Sequence, residues 1–302
     1  MRRLLCLTAL VLLALITSRQ LASAQSPVRE ADRRRVIAML QEPVSGSMPD
    51  IARTRGPALA ALPFDGIAVS HELIADDNLG SDAAYAMLGA DESRALRLLF
   101  QSVPTSGPNV QRIAFTWFLD RYASQSPIVS AEARGAALRT LDPVRSTAHA
   151  EAALYVLGLT GNPADTSLLE FFSTNVRTGS QGMRDASVAS LARLGSVPHL
   201  DRLRLVLERP LPAGSTYREG LAVAAALQKA AFAAHPSLVA PVCGHINDMP
   251  LGNLEFRLDT GRSAQLALNA IVDRVSVTHL STGTRSPDEW ATYCENVTPS
   301  PR

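Results

Sequence analysis

Cys243-Gly244-His245 brings two residue types able to hold a transition metal within three positions. A zinc centre needs three or four such ligands, and C-x-x-C spacing is its usual mark. The chain has no C-x-x-C, and no fourth ligand can be named. The chain holds three cysteines. Cys6 falls in the N-terminal apolar run, which leaves Cys243 and Cys294 as an even pair. In an oxidising compartment such a pair reads most economically as a disulfide. It would close a loop of about 50 residues and contribute roughly 3 to 4 kcal/mol by restricting the unfolded chain. The metal reading of Cys243 and His245 stands beside it as the alternative.

Other residues capable of chemistry fail on spacing. His71-Glu72-Leu73-Ile74 opens like a zinc-protease helix, but Ala75 stands where the second histidine is required. Asp76-Asp77-Asn78-Leu79-Gly80-Ser81-Asp82 places oxygen ligands at alternate positions, loosely like a calcium loop with its glycine one place early. A polar loop that caps the following helix explains the same letters. The six histidines are scattered singly, and His149, His199, His235 and His279 read as capping or surface residues. No G-x-S-x-G, phosphate loop or H-E-x-x-H is present. The sequence therefore names no catalytic, cofactor-binding or metal-ligating residue and implies no cofactor.

What must position any site is helical. In Met183 to Leu207 the residues Val188, Leu191, Ala192 and Gly195 share one face, while Arg184, Asp185, Ser187 and Ser190 fall mostly on the other. Gly195 closes the helix, Ser196 and Pro198 open the next, and Leu200, Leu203, Val206 and Leu207 repeat the apolar pattern. Two short antiparallel helices follow, each marginal alone, so neighbours must stack on them. Ala148 to Val176 has the same outline. Tyr155 and Leu159 lie on its first helix, Gly161 ends that helix, Asn162 and Pro163 start the next, and Leu168, Leu169 and Phe172 lie on the second. Leu157-Gly158 precedes Leu194-Gly195 by about 37 residues, and Leu88-Gly89 lies about 69 earlier still, a spacing that marks a solenoid.

The remaining stretches are read as helices over 28–42, 82–88, 92–101, 110–122, 131–141, 217–234, 237–246 and 262–275. Val36, Met39 and Leu40 face inward on the first of these, with Arg33 to Arg35 outward. Pro49, Gly56-Pro57, Pro63 and Gly66 interrupt the periodicity and predict a broken helix over 51–62. Phe115, Trp117, Phe118 and Tyr122 gather the aromatics on one helix and are read as core rather than a binding strip. Ser286 and Glu289 form a capping box around Pro287 that announces a last helix through Cys294.

Met1-Arg2-Arg3, an apolar run from Leu4 to Ile16 and Ala22-Ser23-Ala24 have the layout of a secretory leader, with cleavage expected after Ala24. The run is too short to span a bilayer, and no later segment is apolar for long enough. Removing the leader takes the formal charge from +1 to about −2, which leaves no basic field for nucleic acid or an anionic membrane. Lys229 is the only lysine, an arginine bias that together with the leader points to a bacterial envelope, where the Asn296-Val297-Thr298 sequon is silent. The chain is 46% hydrophobic but 5% aromatic, a composition suited to close packing of Ala- and Leu-rich helices.

The units at Glu151 to Phe172 and Arg184 to Leu207 resemble HEAT repeats of the bilin-lyase-like kind. Arg184, Ala186, Ala189, Leu191, Leu194 and Gly195 follow that outline; Ala153, Leu154, Leu157 and Gly158 follow it without the leading arginine. The resemblance covers about half of the mature chain and is structural, so it transfers no catalytic residue. It implies an all-α solenoid of antiparallel helix pairs in a right-handed superhelical stack, whose concave face, lined by second helices, binds other proteins or occasionally a cofactor. The expected organisation is a leader (1–24), a helical but irregular segment (25–82), a HEAT-like solenoid (83–276) and a cap helix with tail (277–302). The expected function is an exported, periplasmic or extracellular scaffold that binds a protein partner and is not an enzyme. The alternative is a cofactor-handling protein or enzyme with its site in the groove.

Overall fold

The computed structural model describes residues 29–44, 48–103, 105–141, 147–175, 180–211, 215–248, 250–251, 258–274 and 285–297. The expected leader and His279 lie outside them. Among the described residues the protein is all-α, with 15 helices and no strand; one isolated bridge pairs Leu251 with Leu258. The chain divides into two compact units, Met1–Ile113 and Ala114–Arg302.

The first unit holds α1 (29–41), α2 (Met48–Ala60), α3 (Gly66–His71), α4 (Gly80–Ala90), α5 (Glu92–Gln101) and the start of α6 (Pro108–Asp120). α2 packs on α4 at a crossing made of glycine. A Cβ on Gly89 would lie 2.0 Å from the Ala52 carbonyl oxygen, and one on Gly56 would lie 2.2 Å from the Gly89 carbonyl carbon. Only two backbones without side chains approach so closely. Two sequence readings change here. Gly56-Pro57 does not break α2, which runs unbroken with Pro57 inside it. Gly89 does not end α4, because it lies within the helix at the contact. Tertiary packing outweighs local breaker preferences at both points. Buried Arg55 joins the same region, 2.8 Å from Asp82 and donating to the Glu42 carbonyl at 2.6 Å.

The second unit continues with α7 (Pro127–Leu141), α8 (Thr147–Thr160), α9 (Thr166–Thr174), α10 (Gln181–Arg193), α11 (Val197–Leu207), α12 (Tyr217–Ala233), α13 (Val239–Cys243), α14 (Thr260–Ile271) and α15 (Pro287–Val297). α7, α8, α10, α12 and α14 pack one on the next in a row. The second helices flank that row, α9 against α10, α11 against α12 and α13 against α14, with α15 on α13.

One turn recurs between helices. A residue in the left-handed region ends the first helix: Gly161 (φ 68°), Gly195 (φ 82°) and Ala234 (φ 49°). A polar residue follows in each case, Asn162, Ser196 or His235, and a proline takes the first or second position of the next element. After Gly195 the Ser196 N–H reaches back to the Leu191 carbonyl at 2.9 Å, closing the helix end. Thirty-four residues separate Gly161 from Gly195. The repeat is therefore in register on Gly161, not on Gly158 as the Leu-Gly pairs suggest. Gly158 lies inside α8, where its missing side chain admits Ser190 of α10; a Cβ there would meet the Ser190 Cα at 2.8 Å.

α10 also differs from the single-faced reading. Ser187 and Ser190 are fully buried, because α8 and α12 cover the helix from both sides. Ser190 satisfies its hydroxyl by donating to the Leu154 carbonyl at 2.9 Å. Of the four aromatics expected as core on one helix, Phe115, Trp117 and Phe118 are buried on α6, whereas Tyr122 lies past its end in a 3-10 turn and is half-buried. The last capping box forms as expected: Ser286 N–H donates to Glu289 at 2.6 Å and Glu289 N–H to Ser286 Oγ at 3.3 Å.

Candidate functional site

Cys243 of α13 and Cys294 of α15 lie at disulfide bonding distance, Sγ–Sγ 2.05 Å. His245 faces elsewhere: Nδ1 is 2.7 Å from an Asp248 carboxylate oxygen and Nε2 is 2.7 Å from the Leu207 carbonyl. Both ring nitrogens are thus engaged by partners within the fold, and Cys243 is engaged with Cys294. Among the described residues no group of three or more His, Cys, Asp or Glu could hold a metal ion.

The Asp76 carboxylate accepts from the Asn78 and Leu79 amides at 2.9 and 3.0 Å, and Asp82 is paired with Arg55. The loop thus opens α4 through an Asx turn. His71 Nε2 lies 2.6 Å from Ser102 Oγ. That hydroxyl already donates to the Leu98 carbonyl at 2.8 Å, so it accepts from the ring. This is the reverse of what a base activating a serine requires.

Histidines expected at caps or on the surface divide. His235 caps the turn before α13, accepting from the Ser237 amide at 3.3 Å, while His149, His199 and His245 are buried. His199 Nδ1 lies 2.9 Å from Ser196 Oγ, and Nε2 lies 3.6 Å from a Glu170 oxygen. The order hydroxyl, imidazole, carboxylate resembles a hydrolytic triad, but it comes from a residue at the helix cap meeting one three positions on. It serves to start α11 and tie it to α9.

Periodicity did not reveal two surfaces of the second unit. The first is polar and crosses α8, α10 and α12. Lys229 lies 2.7 Å from Asp185, and the Glu151 carboxylate rests where a Gly182 side chain would begin. Burial, helped by the Asp185 charge, pushes Glu151 upward from the usual carboxylate range. Burial likewise raises the Tyr155 hydroxyl. The Tyr155 ring packs on Phe232 at 4.6 Å, so α8 and α12 meet through their side chains although α10 lies between them in the row. The Arg193 guanidinium caps the end of α12, donating to the Phe232 carbonyl at 2.7 Å, and burial lowers its pKa.

The second surface is apolar and lies on α9 and α11. Phe171, Val197 and Leu205 are 51%, 64% and 58% exposed. Leu169, Phe172, Leu200, Leu203 and Leu207 on the same helices are buried. These helices need their inner residues for packing; the outer three stay more than half exposed, the Phe171 ring touching the core only edge-on against Phe172 at 5.2 Å. A single exposed leucine is ordinary, whereas three large apolar side chains on consecutive second helices call for a use.

No protein family, curated protein or solved structure matches the chain. No helix among the described residues is long and apolar enough to cross a membrane.

Proposed function

We propose that the protein is an exported HEAT-like scaffold that holds a protein partner against the outer side of α9 and α11. The observation that carries this reading is the exposure of Phe171, Val197 and Leu205 on helices whose remaining apolar residues are buried or half-buried. Their burial on binding would follow the usual economy of interfaces, in which a few large side chains supply most of the affinity. Repeated helix pairs suit such a role because they display an extended face on a rigid row. Export is supported by the layout of residues 1–24 and by a cysteine pair at bonding distance, an arrangement typical of oxidising compartments.

The test compares two forms of the mature chain, wild type and the Phe171→Glu, Leu205→Glu double variant. Each is immobilised in equal amounts and exposed to the same envelope extract with a short crosslinker. Wild type is expected to retain a defined protein that the variant loses while keeping its helical circular dichroism. Equal retention by the two, or no retained protein by either, would overturn the proposal.

A further inference from the structure

A cleft of about 610 Å³ opens in the second unit beside α7 and the end of α8. Its polar wall is made by Tyr122, Gln125, Ser130, Arg134, Thr160 and Asn162, and among the described residues no carboxylate lines it. The volume lies within the range of small-molecule sites, roughly 300 to 1,000 Å³.

The local bonds orient what the cleft offers. Arg134 donates through Nε and Nη2 to the two carboxylate oxygens of Asp165, at 2.8 and 2.6 Å. Asp165 is buried at the start of α9, so this fork anchors the turn after α8 and holds the guanidinium rigidly. Anchoring consumes one edge of the guanidinium and leaves Nη1 as its uncommitted end. Asn162 accepts the Ala164 amide on Oδ1 at 2.9 Å, which commits its oxygen and turns its amide nitrogen to other partners. Thr160 donates its hydroxyl proton to the Leu157 carbonyl at 3.2 Å, leaving its oxygen as an acceptor. Tyr122 adds an aromatic wall, fixed edge-on against Phe118 with ring centroids 5.6 Å apart.

We propose that this cleft binds a small hydroxylated organic acid, its carboxylate held by the Arg134 and Asn162 donors and its hydroxyls by Thr160 and Ser130. Asp165 takes up Nε and Nη2 of Arg134, and the donors left for a ligand, Arg134 Nη1 and the Asn162 amide, suit a carboxylate, because charge-assisted hydrogen bonds are the strong ones. The Thr160 acceptor and the aromatic wall favour a ligand with hydroxyls and a carbon skeleton over a bare inorganic ion. The inference does not depend on the scaffold reading, since none of these residues lies on the outer side of α9 or α11.

The experiment is calorimetric titration of the mature protein with D-glucuronate, and with D-glucose and acetate as probes lacking the charge or the hydroxyls. Glucuronate is expected to bind saturably with a dissociation constant in the range of roughly a millimolar or below, and both controls at least about tenfold more weakly. Asn162→Asp retains the oxygen that caps the turn while placing a negative charge on the cleft wall. It should weaken glucuronate by about tenfold or more with an unchanged melting temperature. Ser130→Asp on α7 is the second variant, read in the same way should the first lower the melting temperature. Absence of saturable heat up to about 20 mM glucuronate, equal binding of glucose, equal binding of acetate, or full affinity in a folded Asn162→Asp or Ser130→Asp variant would each overturn the proposal.

Discussion

His199 sits at the first turn of α11 with 8% of its surface exposed, between Ser196 and Glu170. Burial lowers its pKa; the Glu170 charge opposes the shift and Arg202 adds to it. The folded protein therefore holds the ring neutral at a pH where the unfolded chain would protonate it. The unfolded state then binds more protons, so stability is intact above the ordinary histidine value, about 6.5, and is lost as pH falls through it. We expect the urea midpoint to drop more steeply between about pH 7.5 and pH 5.5 in wild type than in His199→Asn. Identical slopes would contradict the assignment. In the sequence, the Ser196 and Pro198 signals place this histidine near a helix start. Its burial depends on Glu170, twenty-nine positions earlier, and on an α9 whose packing no local pattern reports.

At the scale of elements, the most consequential contact is the crossing of α2 with α4. Gly89→Ala should gain up to about 1 kcal/mol in helix propensity. The added methyl would meet the Ala52 carbonyl oxygen at 2.0 Å, a backbone atom that cannot swing aside. Overpacking against an unyielding neighbour costs about 1 to 3 kcal/mol and decides the sign. Chemical denaturation should therefore show Gly89→Ala less stable by about 1 to 2 kcal/mol, whereas a helix-propensity effect alone would make it more stable. The sequence reading took Gly56-Pro57 as a break and Gly89 as a helix end because both are local breakers. Their role here is to let one backbone approach another, and that is visible only once both helices are placed. Glu92–Gln101 and Tyr217–Ala233, by contrast, were legible to within a residue or so. Their apolar periodicity agrees with their caps: Asp91 accepts the Arg94 amide at 3.0 Å, and Thr216 with Glu219 forms a capping box.

Across the second unit, the end of the chain is clasped to the helix row. Trp290 of α15 is fully buried and donates to Asn269 of α14 at 3.0 Å. Arg285 stacks on its ring at 4.6 Å and pairs with Asp273 at 3.0 Å. The cysteine pair adds a covalent clasp across a separation of 51 residues. Replacing both cysteines by serine should lower stability by roughly 3 to 4 kcal/mol through the freed entropy of the unfolded chain. Near-ultraviolet circular dichroism should still report an ordered Trp290, because its packing does not depend on the bond; loss of that signal would show that it does. Adding a reductant to wild type should reproduce the loss of stability. The all-helical class, the helix pairs and the cysteine pairing were readable from residues alone, since each rests on short-range periodicity or on the small number of partners available. Three features required the folded chain: the true register of the repeat on Gly161, the burial of Ser187 and Ser190, and the cleft beside Arg134. Each depends on which surfaces neighbouring helices cover, and a one-dimensional pattern records a helix's own faces but not how many neighbours pack against them.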